Sequence, residues 1–263
     1  MTELIDIGAN LTSTAFDLDR DDVIRRAVDA GVTRMIATGT SVGESKKAAD
    51  LAEQHRGVLW STAGVHPHDA RLCDESTIPA LRELARGDQV VAIGECGLDF
   101  NRNHSPQPTQ KRWFEAQVDL AAELSMPLFV HERDAAAEVY EILGRYRPRL
   151  PAVVVHCFTG ERGALETYLE MDVHIGITGW ICDERRGGHL HDLVGLIGDD
   201  RLMVETDAPY LLPRTIRPRP KGRRNEPAHL PHVVDVIAAA SGRTFEEVAG
   251  ATMRTAEAFF GLS

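Results

Sequence analysis

Four short apolar runs, far apart in the chain, each end on a side chain that can hold a metal ion. Val90-Val91-Ala92-Ile93-Gly94 delivers Glu95, and Leu128-Phe129-Val130 delivers His131. Val153-Val154-Val155 delivers His156, and Leu202-Met203-Val204-Glu205-Thr206 delivers Asp207. Runs this short and this uniformly apolar predict strands buried on both faces, as in a parallel sheet covered by helices. In such sheets and barrels the carboxyl ends of the strands carry the chemistry. The four groups stand 36, 25 and 51 residues apart. One strand-helix unit of an eightfold barrel takes roughly 30 residues, so the groups fall on strands four, five, six and eight. The spacing predicts an α/β chain folded as a (β/α)8 TIM barrel, with two carboxylates and two imidazoles at one mouth. That donor set reads as a divalent-metal site.

The rest of the chain alternates in the same way. Ile5 to Gly8, Arg34 to Gly39 and Leu59 to Val65 supply the first three strands, and His174 to Gly179 the seventh. Ser41 and Glu44 have the spacing of a capping box for a helix running to His55. Trp113, Phe114, Val118, Ala121 and Ala122 form the apolar stripe of a helix over Gln110 to Leu124. Asp134 is placed to cap a helix from Ala135 to Tyr146. Helices over His232 to Ala240 and Phe245 to Phe260 close the chain. Two connections exceed the usual length of about 2 to 6 residues: Cys96 to Pro108, and Ala208 to Pro227. No composition break or linker interrupts the alternation, so residues 1–263 read as one domain.

Composition narrows the function. A hydrophobic content of 43% and a charged content of 26% suit a folded globular chain. No apolar run reaches the roughly 18 residues of a membrane span, and Met1-Thr2-Glu3-Leu4 lacks a basic signal-peptide start. A cytoplasmic protein without membrane attachment or an obligate protein partner is the expectation. Cys73, Cys96, Cys157 and Cys182 show no C-x-x-C spacing and read as reduced structural thiols. A net charge of −11 opposes bulk attraction to nucleic acid, so a polyanionic substrate needs a local basic patch or the metal itself.

Such a patch is present. Arg214, Arg217, Arg219, Lys221, Arg223 and Arg224 fall within eleven residues that contain no acid. A charge run is commonly a solvated face. Its exit from the predicted mouth favours phosphate contacts instead, made by Arg223 and Arg224, with Arg185 and Arg186 extending the track. Trp180 nearby offers a stacking surface for an unpaired base. His66 and His68, after the third strand, face the same mouth as substrate contacts or supports of the site. His189 and His191 lie two apart on a helix and point about 200° apart around its axis, so they cannot share an ion.

Six motifs, in order over nearly the whole chain, resemble the TatD family of metal-dependent deoxyribonucleases, (β/α)8 barrels of the amidohydrolase-like group. They are Gly64-Val65-His66-Pro67-His68, Gly94-Glu95-Cys96-Gly97-Leu98-Asp99, Val130-His131-Glu132-Arg133-Asp134, His156-Cys157-Phe158-Thr159-Gly160, Glu205-Thr206-Asp207-Ala208-Pro209-Tyr210 and Arg224-Asn225-Glu226-Pro227. The resemblance implies that His66 lies near a bound phosphate and that cleavage runs from a 3′ end of single-stranded DNA or RNA. Most relatives end the first strand in D-x-H-x-H, whose histidines bind one metal of a pair. Here Asp6-Ile7-Gly8-Ala9-Asn10 has neither histidine, a departure shared by the member that gives the family its name. The remaining ligands, Glu95, His131, His156 and Asp207, favour a hard ion such as Mg2+, with Mn2+ and Zn2+ as alternatives. Glu95 and Asp207 are the catalytic candidates, Asp207 as the base. The runner-up is an amidohydrolase-type ester or amide hydrolase acting on a small molecule or aminoacyl ester, and a binding module without turnover stands third.

Overall fold

The computed structural model describes residues 2–220 and 222–262, so the expectation for Lys221 lies outside the described residues. Eight strands, β1 (Leu4–Ala9), β2 (Val32–Ala37), β3 (Leu59–Ala63), β4 (Val90–Asp99), β5 (Leu128–Arg133), β6 (Val153–His156), β7 (His174–Ile177) and β8 (Leu202–Val204), form one sheet in chain order. Their pairing is parallel, as the (β/α)8 barrel requires. The helices between them are α1 (Arg20–Asp29), α2 (Val42–Gln54), α3 (Thr77–Leu84), α4 (Gln107–Leu124), α5 (Ala136–Tyr146), α6 (Arg162–Glu170) and α7 (Gly188–Leu193). After β8 come α8 (Leu230–Ser241) and α9 (Phe245–Phe260).

Packing divides the chain into two units: Met1–Ala37 with Cys157–Leu165 and Ile175–Ser263, and Thr38–His156 with Glu166–His174. In the first, β1 is wholly buried. Its end is joined to the end of β8 by Asp207 N–H to Gly8 O at 2.8 Å and Asn10 N–H to Ala208 O at 2.7 Å. The last helix, α9, opens on a complete capping box made by Thr244 and Glu247 and buries Val248, Ala251, Phe259 and Phe260.

In the second unit, Ser41 caps α2 by accepting the Glu44 N–H at 3.1 Å. The α4 stripe is the predicted one with two differences. Ala122 is only half-buried, and two glutamines, Gln110 and Gln117, are buried within it. Seven residues apart, they share one helix face. Each clasps both polar groups of a strand residue's backbone. Gln117 Oε1 accepts from Val65 N–H (2.7 Å) and its Nε2 donates to Val65 O (3.1 Å). Gln110 Oε1 accepts from Asp99 N–H (2.8 Å) and its Nε2 donates to Asp99 O (3.1 Å). Val65, just past the end of β3, and Asp99, the last residue of β4, thus have these backbone groups satisfied by side chains, as burial demands.

Two local expectations need correction. Asp134 does not cap α5: its backbone sits at φ 53°, and its carboxylate accepts from Asn101 Nδ2 at 2.8 Å. The N–H of Ala135 is taken instead by Glu132 Oε1 at 2.8 Å. The connection after strand four is also shorter than Cys96 to Pro108. Gly97, Leu98 and Asp99 stay paired with His131, Glu132 and Arg133, so β4 continues past the proposed ligand and α4 starts at Gln107.

Asp6, in the middle of β1, is fully buried. It accepts from Thr206 N–H (2.9 Å), Thr206 Oγ1 (2.5 Å) and Gly8 N–H (3.2 Å). Burial outweighs these bonds and pushes its pKa from 3.8 up to about 7. Between those values the folded chain holds a proton that the unfolded chain has released. Stability therefore falls as pH rises from about 4 to about 7, by of order 4 kcal/mol in total. Replacing Asp6 by Asn is expected to flatten the melting temperature over that window relative to the parent. Parallel curves for the two proteins would place the titration elsewhere.

Candidate metal centre

Glu95 owes its position to the backbone around it. Register between β4 and β5 runs from Ile93 opposite Leu128 to Cys96 opposite Val130, so β4 holds one extra residue at Gly94-Glu95. A bulge of this kind re-aims a side chain. Both flanking glycines are required, with φ at 140° for Gly94 and Gly97. A Cβ on Gly94 would sit 2.3 Å from Phe129 O, and one on Gly97 would collide with His131 O. Cys96, the next residue, is buried with its Sγ toward Phe129 O, and burial drives its thiol pKa upward. A protonated thiol aimed at a carbonyl is no ligand, as strand alternation predicts.

Three imidazoles converge on Glu95 Oε1: His156 Nε2 at 2.7 Å, His131 Nδ1 at 3.1 Å and His66 Nε2 at 3.3 Å. His131 and His156 are register partners on β5 and β6. His66 arrives on the turn after β3, its N–H held by Thr40 O at 2.9 Å. Burial opposes the charge on Glu95, yet the imidazoles of His156, His66 and His131 hold its carboxyl well below the usual range. Burial pulls His131 down, but Asp99 and Glu95 outweigh it and raise its pKa. For His66 burial wins and lowers the pKa to about 4, so this ring is neutral at pH 7.

The neutral His66 ring has a fixed tautomer. Its Nδ1 accepts the backbone N–H of His68 at 3.1 Å, so its one proton sits on Nε2, facing Glu95. A nitrogen that carries a proton cannot donate a lone pair to a metal. His66 in this state is a hydrogen-bond donor to Glu95. Side-chain nitrogen and oxygen atoms of His66, Glu95 and His131 lie within 4.8 Å of one another. A buried carboxylate and imidazole nitrogens aimed at one point fit a divalent cation.

Sequence reasoning gave no role to Asp99. Its Oδ2 lies 2.6 Å from His68 Nε2 and 3.5 Å from His131 Nε2, and it is 3% exposed. The signal was its place four residues after Glu95, an even offset that returns a strand residue to the same face.

The other candidates belong to the first unit. Asp207, at φ 53°, accepts from Asn10 Nδ2 at 2.9 Å, so Asn10 has the structural hydrogen bond of a loop amide. The basic residues are partly neutralised by acids outside the Arg214 to Arg224 run. Arg185 and Arg186 both donate to Asp183, Arg214 to Glu184, and Arg224 to Asp19 and Glu226. Arg223 is exposed, as are Arg217 and Arg219. The Arg186 guanidinium stacks 4.2 Å from the Trp180 ring centroid. Tyr210, three residues after Asp207, is 60% exposed. His189 and His191 each meet a backbone carbonyl, of Thr159 and Ile181, and share no site.

Parallel strands that end in a buried carboxylate ringed by imidazoles define a metal-dependent hydrolase barrel. The chain belongs to the TatD-related DNase family, whose sequence profile matches residues 5–261. It is 54% identical over 259 residues to the 3'-5' ssDNA/RNA exonuclease TatD of Erwinia amylovora, covering 98% of this chain and 100% of the relative. It is 49% identical over 260 residues to the protein of that name from Escherichia coli, covering 99% of this chain and 100% of the relative. Among solved structures it is similar to a TatD family hydrolase from Entamoeba histolytica, with a TM-score of 0.90, 25% identity and full coverage of both chains.

Glu95→Gln is expected to abolish metal binding in a Mn2+ titration and to lower turnover roughly 10³-fold, as loss of several kcal/mol of charge stabilisation implies. The melting temperature should stay within about 5 °C of the parent, because a site carboxylate contributes little to packing. Unfolding of the variant would make Glu95 a structural residue.

Proposed function

We propose that this protein is a metal-dependent nuclease that removes nucleotides from the 3′ end of single-stranded DNA or RNA. The observation that carries the reading is the convergence of His66, His131 and His156 on the Glu95 carboxylate. The TatD relatives, at 49% and 54% identity, supply the polarity and the substrate, and they favour it over cleavage of a small ester or amide.

In this reading Glu95, His131 and His156 hold one divalent ion, Mg2+ first, with Mn2+ and Zn2+ as alternatives. When bound, the ion supplies Lewis-acid polarisation of a phosphate oxygen and a lowered pKa for its water. The chain's own groups do the rest. His66 offers its Nε2–H to a non-bridging phosphate oxygen and so offsets charge developing on phosphorus. Asp207, at the end of β8, serves as a further ligand or as the base that takes the proton of the attacking water. As the water oxygen bonds to phosphorus, the bond from phosphorus to the O3′ of the penultimate nucleotide breaks, that oxygen takes up a proton, and the terminal nucleotide leaves carrying the phosphate.

The exposed arginines Arg217, Arg219 and Arg223 contact the backbone, while Arg185 and Arg224, paired with Asp183 and with Asp19 and Glu226, flank the track. Trp180 and Tyr210 offer aromatic surfaces to unpaired bases. Among the described residues the cysteines form no disulfide, which suits a reducing cytoplasm. Among the described residues no helix is long and apolar enough to cross a membrane.

End-labelled single-stranded DNA should lose 3′ nucleotides with Mg2+ or Mn2+ and remain intact with chelator. Intact DNA under every metal tested would sink the reading. Affinity should fall with salt at a slope of about −2 in log–log form, since roughly three exposed cations contact the strand and each contributes about −0.7. A slope near zero would remove the arginines from the interface.

A further inference from the structure

We propose that Asp99 is a positioning residue that fixes the tautomer of His131, so that Nδ1 is the nitrogen turned to the metal. The proposal rests on the metal reading above. A neutral imidazole that ligates through one nitrogen must carry its proton on the other, and that second nitrogen needs an acceptor to stay oriented. His131 presents Nδ1 to Glu95 Oε1 at 3.1 Å. Its buried Nε2 has no formed hydrogen bond among the described residues, and Asp99 Oδ2 faces it at 3.5 Å. Closing that gap by a few tenths of an ångström completes a carboxylate–histidine–metal arrangement.

Asp99 is built to stay in place. Gln110 holds its N–H and its carbonyl, and Gln110 Nε2 also donates to Ser105 O at 2.8 Å. Asp99 Oδ1 accepts from Arg102 N–H at 2.7 Å, which leaves Oδ2 for the imidazoles. His68 Nε2 meets that oxygen at 2.6 Å, and the His68 carbonyl is tied to Ser105 Oγ at 2.8 Å. His68, expected from sequence as a substrate contact, therefore has its Nε2 engaged by Asp99. The carboxylate links the turn after β3 to the β5 ligand through a scaffold that includes no ligand atom.

The geometry fixes the sign of a conservative change. In Asp99→Asn the amide oxygen keeps the Arg102 N–H, and the NH2 group is turned to His68 and His131. A donor facing Nε2 favours the tautomer with the proton on Nδ1, and a protonated Nδ1 cannot ligate. Mn2+ affinity measured by calorimetry is expected to fall about ten- to hundredfold, with the melting temperature within about 5 °C of the parent.

A second measurement needs no variant. Histidine ring 15N spectra of the parent loaded with Zn2+ should show His131 with its proton on Nε2. A proton on Nδ1 overturns the proposal, and so does an Asp99→Asn protein that binds Mn2+ within twofold of the parent. A parent that binds neither Mn2+ nor Zn2+ overturns the metal reading itself, which separates the two failures.

Discussion

A carboxylate taken out of water without a lysine or arginine beside it is the condition around which this site is built. Among the described residues, the ion pairs of Glu95 are made with imidazoles alone. An unpaired buried charge is strongly unfavourable, and imidazoles compensate it only to the extent that they carry protons. His66 stays uncharged at neutral pH and contributes the hydrogen bond of its Nε2–H rather than a full charge. The remaining negative potential favours a cation, and a carboxylate among imidazoles is a donor set that fits a divalent one.

That arrangement depends on where strand ends stop, and α4 sets this in the second unit. Gln110 and Gln117 bind the backbone of Asp99 and Val65, the last residue of β4 and the residue that leads into the His66 turn. Backbone groups satisfied in this way leave the ends of β3 and β4 little freedom, because any movement would strand two buried polar groups at each. Rigidity at the site thus comes from a helix that contributes no group to the chemistry.

The strand-end carboxylate and histidines were legible because short apolar runs and period-two alternation are strong, local signals. Phe245–Phe260 has the bounds that the sequence implies. What escaped depends on which partner the folded backbone brings within reach. Asp134 has the residue type of a cap, yet Glu132 reaches the free N–H and Asn101 takes the Asp134 carboxylate. The segment from Arg214 to Arg224 contains no acid, yet Asp19, Asp183, Glu184 and Glu226 meet its arginines and those after β7. Gln110 and Gln117 looked like interruptions of an apolar stripe because their role depends on strands that linear periodicity does not display.

The first strand shows how a site can lose ligands and keep its architecture. Where D-x-H-x-H would place two imidazoles, this chain has Gly8 and Asn10. Both positions are occupied with Asp207 instead: Gly8 O accepts its N–H, and Asn10 Nδ2 donates to its carboxylate. The aspartate of the motif, Asp6, is retained but turned to Thr206, the residue before Asp207, with three hydrogen bonds among Thr206 and Gly8. A strand that could ligate a second ion has become a support for the carboxylate at the end of β8. A neutral amide orients that carboxylate without neutralising it. The exchange leaves a carboxylate whose direction is set by hydrogen bonds with its neighbours at the end of β1.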